Sequence, residues 1–579
     1  MKTIRGEVEK ISPYEWETSS ASLAKALGLK EKDILRFDMN TSPFAPAMSL
    51  PKKLKISEYP DPSYENLILR LAKYAKTTKN RILVGAGADE IIDIIARTFL
   101  EKGEAALIST PTYSMFRISV ELAGGVAIGV PRGKNYSLDP DVVIAKAREA
   151  KAKLIFVCNP NSPTGNSTPF PVLEKIAKNS DSILIVDEAY YEFCKKSAFS
   201  SLGKLKNVII IRTLSKAFGL AGIRVGYAIA PPRLAEAMNK VRPPNSISMV
   251  SLYLAEQALA ERIPEMRNNV ETIVKERKRL SEALGNFGLF VYPSVTNFLF
   301  VRTSPDLASK IYGEFLKKGL VIRDFSNKEL TKGCLRITVR SRAENDCLLR
   351  ELKSILDSSY ESLIFDIDGV LVDVSKSYRE AIKRTASKFL RRNVTSGEVE
   401  EMKSTVGFNN DWDAAYALVT RTQNPMEINR TSTLYSKIKS AFQEAYLGKD
   451  GTGGLIEKEK PIVSESTLAR LKRNGVKLGV VTGRPREEAL IALAPFLGKY
   501  FDERNIIALE DCDEEKPSPK PLLLLMGRMG SKNSLYVGDS PSDVAAANSA
   551  RIRIAVVGAD IGGDFCLRNV NEIFKVVGQ

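Results

Sequence analysis

Among its 579 residues the chain has no histidine. That absence excludes Ser/His/Asp triads, Cys/His pairs, imidazole-ligated metals and imidazole acid–base catalysis. Any chemistry must therefore run on Lys, Asp, Glu, Tyr, Cys or a bound cofactor. Cysteine is scarce: Cys158, Cys194, Cys334, Cys347, Cys512 and Cys566 are scattered without CxxC pairing. They suggest neither a disulfide framework nor a zinc cluster, and most are expected to be small buried apolar side chains. Missing too is any uncharged apolar run long enough to span a bilayer. The opening MKTIRGEVEK is too polar for a secretory signal. Together with 44% hydrophobic and 27% charged residues, these absences predict a globular, cytoplasmic protein with no membrane partner. No internal repeat or low-complexity tract stands out.

What is present begins with charge. The formal net charge is +16, yet residues 361–579 hold 31 Lys and Arg against 30 Asp and Glu, so the excess lies almost wholly before them. No dense basic tract with interleaved aromatics occurs there. Attraction of small anionic substrates is thus the expected use of this charge, and no nucleic-acid partner is expected.

Between about residues 80 and 230, apolar runs alternate with amphipathic stretches. RILVGAG, EAALIST, AKLIFVCNP, SILIVDEAY, NVIIIRTLSK and GYAIA read as buried strands of an α/β sheet. Residues 253–290 read as one long charged helix bent near Pro264. FGLFVYPSVTNFLFVR, GLVIRDF and GCLRITVR then read as strands of a smaller α/β lobe. After a last helix, LIFDIDGVLVD opens a new apolar strand, which places a domain boundary between residues 358 and 359. In the second half, residues 375–462 are helical and polar. VKLGVVTGRP and NSLYVGDSPSD add strands whose carboxyl ends carry Asp, Thr and Asp, as in a doubly wound sheet that binds ligands at that edge.

The first half carries GAGADE (85–90), PTYSMF (111–116), CNPNSPTGN (158–166), VDEAYYEF (186–193) and TLSKAFGLAGIRVG (213–226). In this order they resemble fold-type-I pyridoxal-phosphate aminotransferases, and among these the histidinol-phosphate aminotransferases, over about residues 10 to 355. A coenzyme that stabilises a carbanion needs an amine to anchor it and an acid beside its pyridinium nitrogen. The resemblance assigns the amine to Lys216 and the acid to Asp187. It also implies that Tyr190 meets the ring oxygen, that Tyr113 stacks on the ring, and that Ala88, Asp89, Thr213, Ser215 and Arg224 cradle the phosphate. Tyr59, in a YPDP segment, would reach the phosphate of a neighbouring subunit, which implies a homodimer. Arg323, Arg336 and Tyr14 match substrate-binding positions, and two guanidinium forks suit a doubly anionic phosphomonoester. Two departures bear on specificity. NTSP (40–43) replaces the usual NENP, and Ser162 stands where an asparagine normally touches the ring oxygen, with Asn161 beside it as a possible substitute. Aromatic and phospho-amino-acid substrates therefore stay open. The implied large domain covers about 45–255, and the N-terminal segment with about 256–358 forms the small lobe.

FDIDGVLVD (365–373), VVTGR (480–484), EKPSPKP (515–521) and GDSPSD (538–543) resemble the four motifs of the haloacid-dehalogenase superfamily over residues 361 to 579. The implied fold is a Rossmann-like domain with a helical cap at about 375–462. Phosphoryl transfer needs an in-line nucleophile, neutralised equatorial oxygens and a proton for the leaving alcohol. By resemblance Asp366 is the nucleophile and Asp368 the acid and base. Thr482 and Lys516 hold the phosphoryl group, and Mg²⁺ lies among Asp366, Asp368, Asp539 and Asp543. Joined in one chain, the two halves suggest a bifunctional enzyme of histidine biosynthesis. It would make histidinol phosphate from imidazole-acetol phosphate and glutamate and then release its phosphate. The alternatives are an aminotransferase fused to a housekeeping phosphatase, or to an inactive regulatory module.

Overall fold

The computed structural model describes every residue except 1–3, 52–53, 357–359, 404, 406–407, 409, 450–451 and 578–579. The expected boundary between 358 and 359 lies outside the described residues. The chain divides into two compact units, one made of residues 1–284 and 291–352, the other of 353–579 with the short segment 285–290.

The first unit is organised by a seven-stranded mixed sheet. Its strands run Ile82–Gly85, Gly226–Ile229, Val208–Thr213, Ile183–Asp187, Leu154–Cys158, Ala105–Thr110 and Val126–Pro131 in spatial order. Gly226–Ile229 is antiparallel to both neighbours, and the other strands are mutually parallel. Its central strands are buried on both faces, as continuous Val/Ile/Leu runs require. All six strands expected here are present, and the seventh, Val126–Pro131, is a partly exposed edge strand. A smaller antiparallel sheet pairs Phe298–Arg302 with Cys334–Thr338, which in turn pairs with Arg323–Asp324. The N-terminal segment joins this lobe where Leu35–Arg36 runs parallel to Leu320–Val321. The expected bent helix is two helices, Met249–Glu261 and Ile263–Asn286. The break precedes Pro264, which sits in the first turn of the second helix, where its missing N–H costs nothing.

The second unit holds a six-stranded parallel sheet. Its order is Ile506–Ile507, Lys477–Val481, Ser362–Phe365, Ser534–Gly538, Arg553–Val557 and Phe565–Leu567. Four helices, Tyr378–Leu390, Ser396–Lys403, Asp411–Thr420 and Thr433–Leu447, are inserted after its first strand. The chain leaves and re-enters this insert side by side, where Val372–Asp373 pairs with Lys460–Pro461. Two cysteines, Cys158 and Cys334, are buried and the other four are partly exposed. The expectation that most are buried is thus corrected: Cys194 ends a short helix, Cys347 lies within the helix Arg342–Leu356, Cys512 is in a loop and Cys566 is on an outer strand, none of them in a central strand. Among the described residues no helix is long and apolar enough to cross a membrane.

Candidate active sites

In the first unit, sheet register gathers the chemistry. Gly226 lies opposite both Gly85 and Thr213, so the ends of two strands and the start of the antiparallel one meet at one edge. The helix Gly87–Phe99 begins there, and its first-turn N–H groups, Ala88 and Asp89 among them, have no acceptor within the helix. Close packing makes this a cradle. A Cβ at Gly226 would lie 2.4 Å from the Gly87 carbonyl carbon and 2.6 Å from Ala88 N. Around it, Arg224 Nη2 is 2.8 Å from Asp89 Oδ2 and its Nη1 is 3.4 Å from Ser215 Oγ. Thr213 Oγ1 donates to Ser215 Oγ at 2.9 Å, and Tyr113 Oη donates to Asp89 Oδ1 at 2.8 Å. A helix N-terminus, two hydroxyls and a guanidinium in one place fit a phosphate.

The reactive groups stand beside that cradle. Asp187, the last residue of its strand, is buried, and its Oδ1 accepts the Ala189 N–H at 3.0 Å. Burial pushes its carboxyl up to about 7, against the pull of that N–H. A protonated ring nitrogen supplied by a ligand is the partner that restores its charge. Lys216 Nζ donates to Met39 O at 3.1 Å and lies 5.8 Å from the centroid of the Tyr190 ring. Burial, helped by the Arg336 guanidinium, lowers its amine to about 8. Tyr190 is buried edge-on against Phe298, receives Asn40 Nδ2 at 3.0 Å, and has its phenol pushed up to about 12 by burial. A depressed amine, a buried carboxylic acid, a phenol and an anion cradle are the donor set that pyridoxal phosphate requires, so these residues fit it.

Toward the small lobe, Arg323 and Arg336 are register partners on adjacent strands. Arg336 donates to Asp38 O and, at 3.3 Å, to Ser162 Oγ, while its Nε is buried without a partner. Arg323 Nη1 is held by Glu17 Oε1 at 3.1 Å, and Tyr14 Oη donates to the same oxygen at 3.3 Å. Asn161 is turned the other way. Its Nδ2 donates to Pro111 O and Thr164 Oγ1, and its Oδ1 accepts from Thr112 Oγ1, so its amide serves the turn and Ser162 faces Arg336. Tyr59 is 85% exposed and stands out from this unit's surface. Asn40 and Glu17 were not singled out in the sequence. For Asn40 the NTSP segment was the available signal; for Glu17 there was none.

In the second unit three parallel strands end together, since Phe365 is opposite both Val480 and Val537. Asp366, Thr482 and Asp539 follow those ends. Carboxylate oxygens of Asp366, Asp539 and Asp543 lie within 4.8 Å of one another, a hard-oxygen set that fits Mg²⁺. Gly369 allows this closeness: a Cβ there would fall 1.9 Å from Asp539 Oδ2. Lys516 Nζ reaches Asp366 Oδ2 at 2.9 Å, Asp543 Oδ1 at 2.7 Å and Tyr536 Oη at 3.0 Å. Burial pushes the Asp366 carboxyl up to about 7 although Lys516 opposes it, and Asp539 is also raised by burial and then by Asp366. Burial pushes Asp543 up too, but Lys516 and the hydrogen bonds from Ser540 and Tyr536 outweigh it and leave its carboxyl below the usual range.

Asp368 is not gathered into that trio. Its Oδ1 is held by Arg484 at 2.5 and 2.8 Å. Arg484 is fully buried, pairs with Glu459 at 3.0 Å, donates through Nη1 to the Tyr446 hydroxyl oxygen at 3.1 Å, and lies over the Tyr378 ring. Thr482 is buried, and its hydroxyl accepts the Arg484 N–H at 3.2 Å. Asp366, Asp368, Lys516 and Asp539 open onto a cavity of about 400 Å³ walled on its far side by the inserted helices. Arg484 was legible only as part of VVTGR; its partners lie 25 and 116 residues away.

The family model for aminotransferase class I and II matches residues 43–352, and that for haloacid dehalogenase-like hydrolases matches 363–557. The histidinol-phosphate aminotransferase of Thermoanaerobacter sp. (strain X514) is 38% identical over 329 residues, 55% of this chain and 93% of that protein. The Methanocaldococcus jannaschii enzyme of the same name is 32% identical over 365 residues, 61% and 97% of the two chains. Among solved structures, histidinol-phosphate aminotransferase from Sinorhizobium meliloti in complex with pyridoxal-5′-phosphate aligns with a TM-score of 0.56 and 28% identity, over 61% of this chain and 98% of that one. With this sheet, this cradle and these matches, the chain belongs to the class I and II aminotransferases, its first unit similar to histidinol-phosphate aminotransferases, and it carries a haloacid dehalogenase-like hydrolase domain behind them.

Proposed function

We propose that the chain is a bifunctional enzyme of histidine biosynthesis, which transaminates imidazole-acetol phosphate with glutamate and then dephosphorylates the histidinol phosphate formed. The observation that carries this reading is the joining of a histidinol-phosphate-aminotransferase-like unit to a hydrolase-like unit that keeps both motif aspartates, Asp366 and Asp368. Pyridoxal phosphate, when bound, supplies the electron sink for the amino acid's Cα–H bond. Lys216 anchors it and then carries the proton from substrate Cα, a task suited to an amine lowered to about 8. Asp187 faces the ring nitrogen, Tyr190 the ring oxygen and Tyr113 the ring face. Ala88, Asp89, Thr213, Ser215 and Arg224 hold the phosphate, joined by Tyr59 from a second copy of the chain in a homodimer. Asn161 shapes the pocket wall from behind. Arg336 binds the amino donor's carboxylate, while Arg323 and Tyr14 bind the substrate's phosphate once Glu17 yields.

In the second unit Asp366 attacks phosphorus and forms an aspartyl-phosphate, which water then hydrolyses. Asp368 protonates the leaving alkoxide and afterwards deprotonates that water. Lys516 and Thr482 hold the phosphoryl group. Asp366, Asp539 and Asp543 hold Mg²⁺, which, when bound, offsets the charge of the phosphoryl oxygens. The proposed domains are 1–358 and 359–579, with a cap at about 375–462, in a cytoplasmic enzyme. The test is phosphate release from histidinol phosphate with Mg²⁺. Turnover no better than on generic phosphomonoesters rejects the pathway pairing.

A further inference from the structure

The wall of the phosphatase cavity carries an anomaly of charge. Glu488 is only 3% exposed and lines the same cavity as Asp366, Asp368 and Lys516. Both its carboxylate oxygens are met by neutral donors, the Tyr378 hydroxyl and, at 3.0 Å, the Gln443 amide. Among the described residues no Lys or Arg pairs with it. Arg484, whose charge acts on Glu488 from a distance, is itself paired with Asp368 and Glu459. Asp411, at the start of the helix Asp411–Thr420 and held by Lys403 at 2.8 Å, lines the same cavity. Burial raises both carboxyls; Asp411 adds to the rise at Glu488, and Asp368 to that at Asp411.

A buried carboxylate without a cation is expensive to keep. The other charges on this wall, Arg379 with Glu400 and Lys403 with Asp411, neutralise each other. Among these lining groups the surplus is one negative charge, on Glu488. We infer that Glu488, supported by Asp411, is a recognition subsite for a protonated amine. It selects phosphomonoesters of small amino alcohols over those lacking the nitrogen. Trp412, beside Asp411 on the same wall, gives the substrate's carbon skeleton an aromatic surface to lie on. The phosphate end is then read by Lys516 and the carboxylate trio with its metal, and the amine end by Glu488, so the two ends of one substrate fix its direction in the cavity. This inference rests on the reading of the second unit as a phosphatase.

The experiment uses the full chain with Mg²⁺ and a matched pair of substrates, histidinol phosphate and its analogue lacking the amine, with p-nitrophenyl phosphate as a general phosphomonoester. The aminated member is expected to be preferred in kcat/KM by roughly 10- to 100-fold, the worth of a charged hydrogen bond. Glu488→Gln collapses that ratio toward one by raising KM for the aminated member, and Asp411→Asn lowers it in part. A ratio near one in the parent protein, or a ratio that Glu488→Gln leaves intact while both members slow equally, overturns the inference and marks Glu488 as a latch for the inserted helices. The phosphatase reading survives either result. Absence of phosphate release from all three compounds overturns both.

Discussion

Replacing Arg484 with methionine removes the cation that ties the inserted helices to the sheet, and the structure sets the size of the effect. The guanidinium is buried to 1% exposure between Glu459, at 6%, and Asp368, at 33%. Stripping a buried pair of one partner costs about 3–5 kcal/mol, because the other charge is left unpaired in a poor solvent. Asp368 is close to a third exposed, so water takes over part of its stabilisation. Glu459 keeps the Tyr446 and Ser377 hydroxyls. The low end of the range, ~3 kcal/mol, is therefore expected, and for a unit of roughly 200 residues it lowers Tm by about 6–12 °C. The chain has two tryptophans, Trp16 and Trp412, one in each unit. In a Trp16→Phe background, Trp412 fluorescence follows the second unit alone during thermal unfolding. Arg484→Lys restores only part of the loss, since an ammonium cannot fork between two carboxylates as the guanidinium does. A shift under about 2 °C for Arg484→Met would refute the reasoning.

Glu17→Gln removes the closer of the two carboxylates on Arg323, leaving Glu15 at 3.6 Å, and is expected to lower KM for the phosphorylated acceptor by about 2- to 5-fold, in keeping with one part-exposed ion pair; an unchanged or higher KM in steady-state kinetics contradicts this. Because the Lys216 amine is lowered to about 8, coenzyme uptake by the apoprotein should speed up as pH rises through about 8, and Arg336→Leu should move that midpoint upward by removing a neighbouring positive charge. An uptake rate that is flat from pH 6 to 10 argues against it. Glu488, whose folded carboxyl is raised by burial, binds a proton in the folded state that the unfolded chain releases, so its contribution to stability falls as pH rises from the ordinary Glu value through the raised one. Glu488→Gln removes that slope. Its Tm should match the parent near pH 4 and exceed it near pH 8, and the opposite order would count against burial as the cause.

The framework of both units was legible because buried parallel strands announce themselves as unbroken apolar runs, and because site residues follow directly from strand ends: Asp187, Thr213, Asp366 and Asp539 sit where their strands stop. The edge strand Val126–Pro131 escaped since it is half exposed and bears Gly129 and Pro131. Within a turn, neighbours in sequence face opposite ways, so nothing in CNPNSPTGN could decide between Asn161 and Ser162. The structure shows Asn161 bonded to Pro111 and Thr164, and Ser162 beside Arg336. Arg484, Glu488 and Glu17 were hidden for a different reason. Each acquires meaning only from partners brought by remote segments, as Asp368 is for Arg484 and Tyr378 for Glu488.

The central claim, one chain running two successive reactions, is tested most directly by supplying the holoenzyme with imidazole-acetol phosphate, glutamate and Mg²⁺ and following histidinol and inorganic phosphate together. The account predicts that both appear in equal amounts, that Lys216→Ala abolishes both, and that Asp366→Asn halts the sequence at histidinol phosphate. Continued histidinol formation by the Asp366→Asn protein, or no amino product from the parent protein, would contradict it.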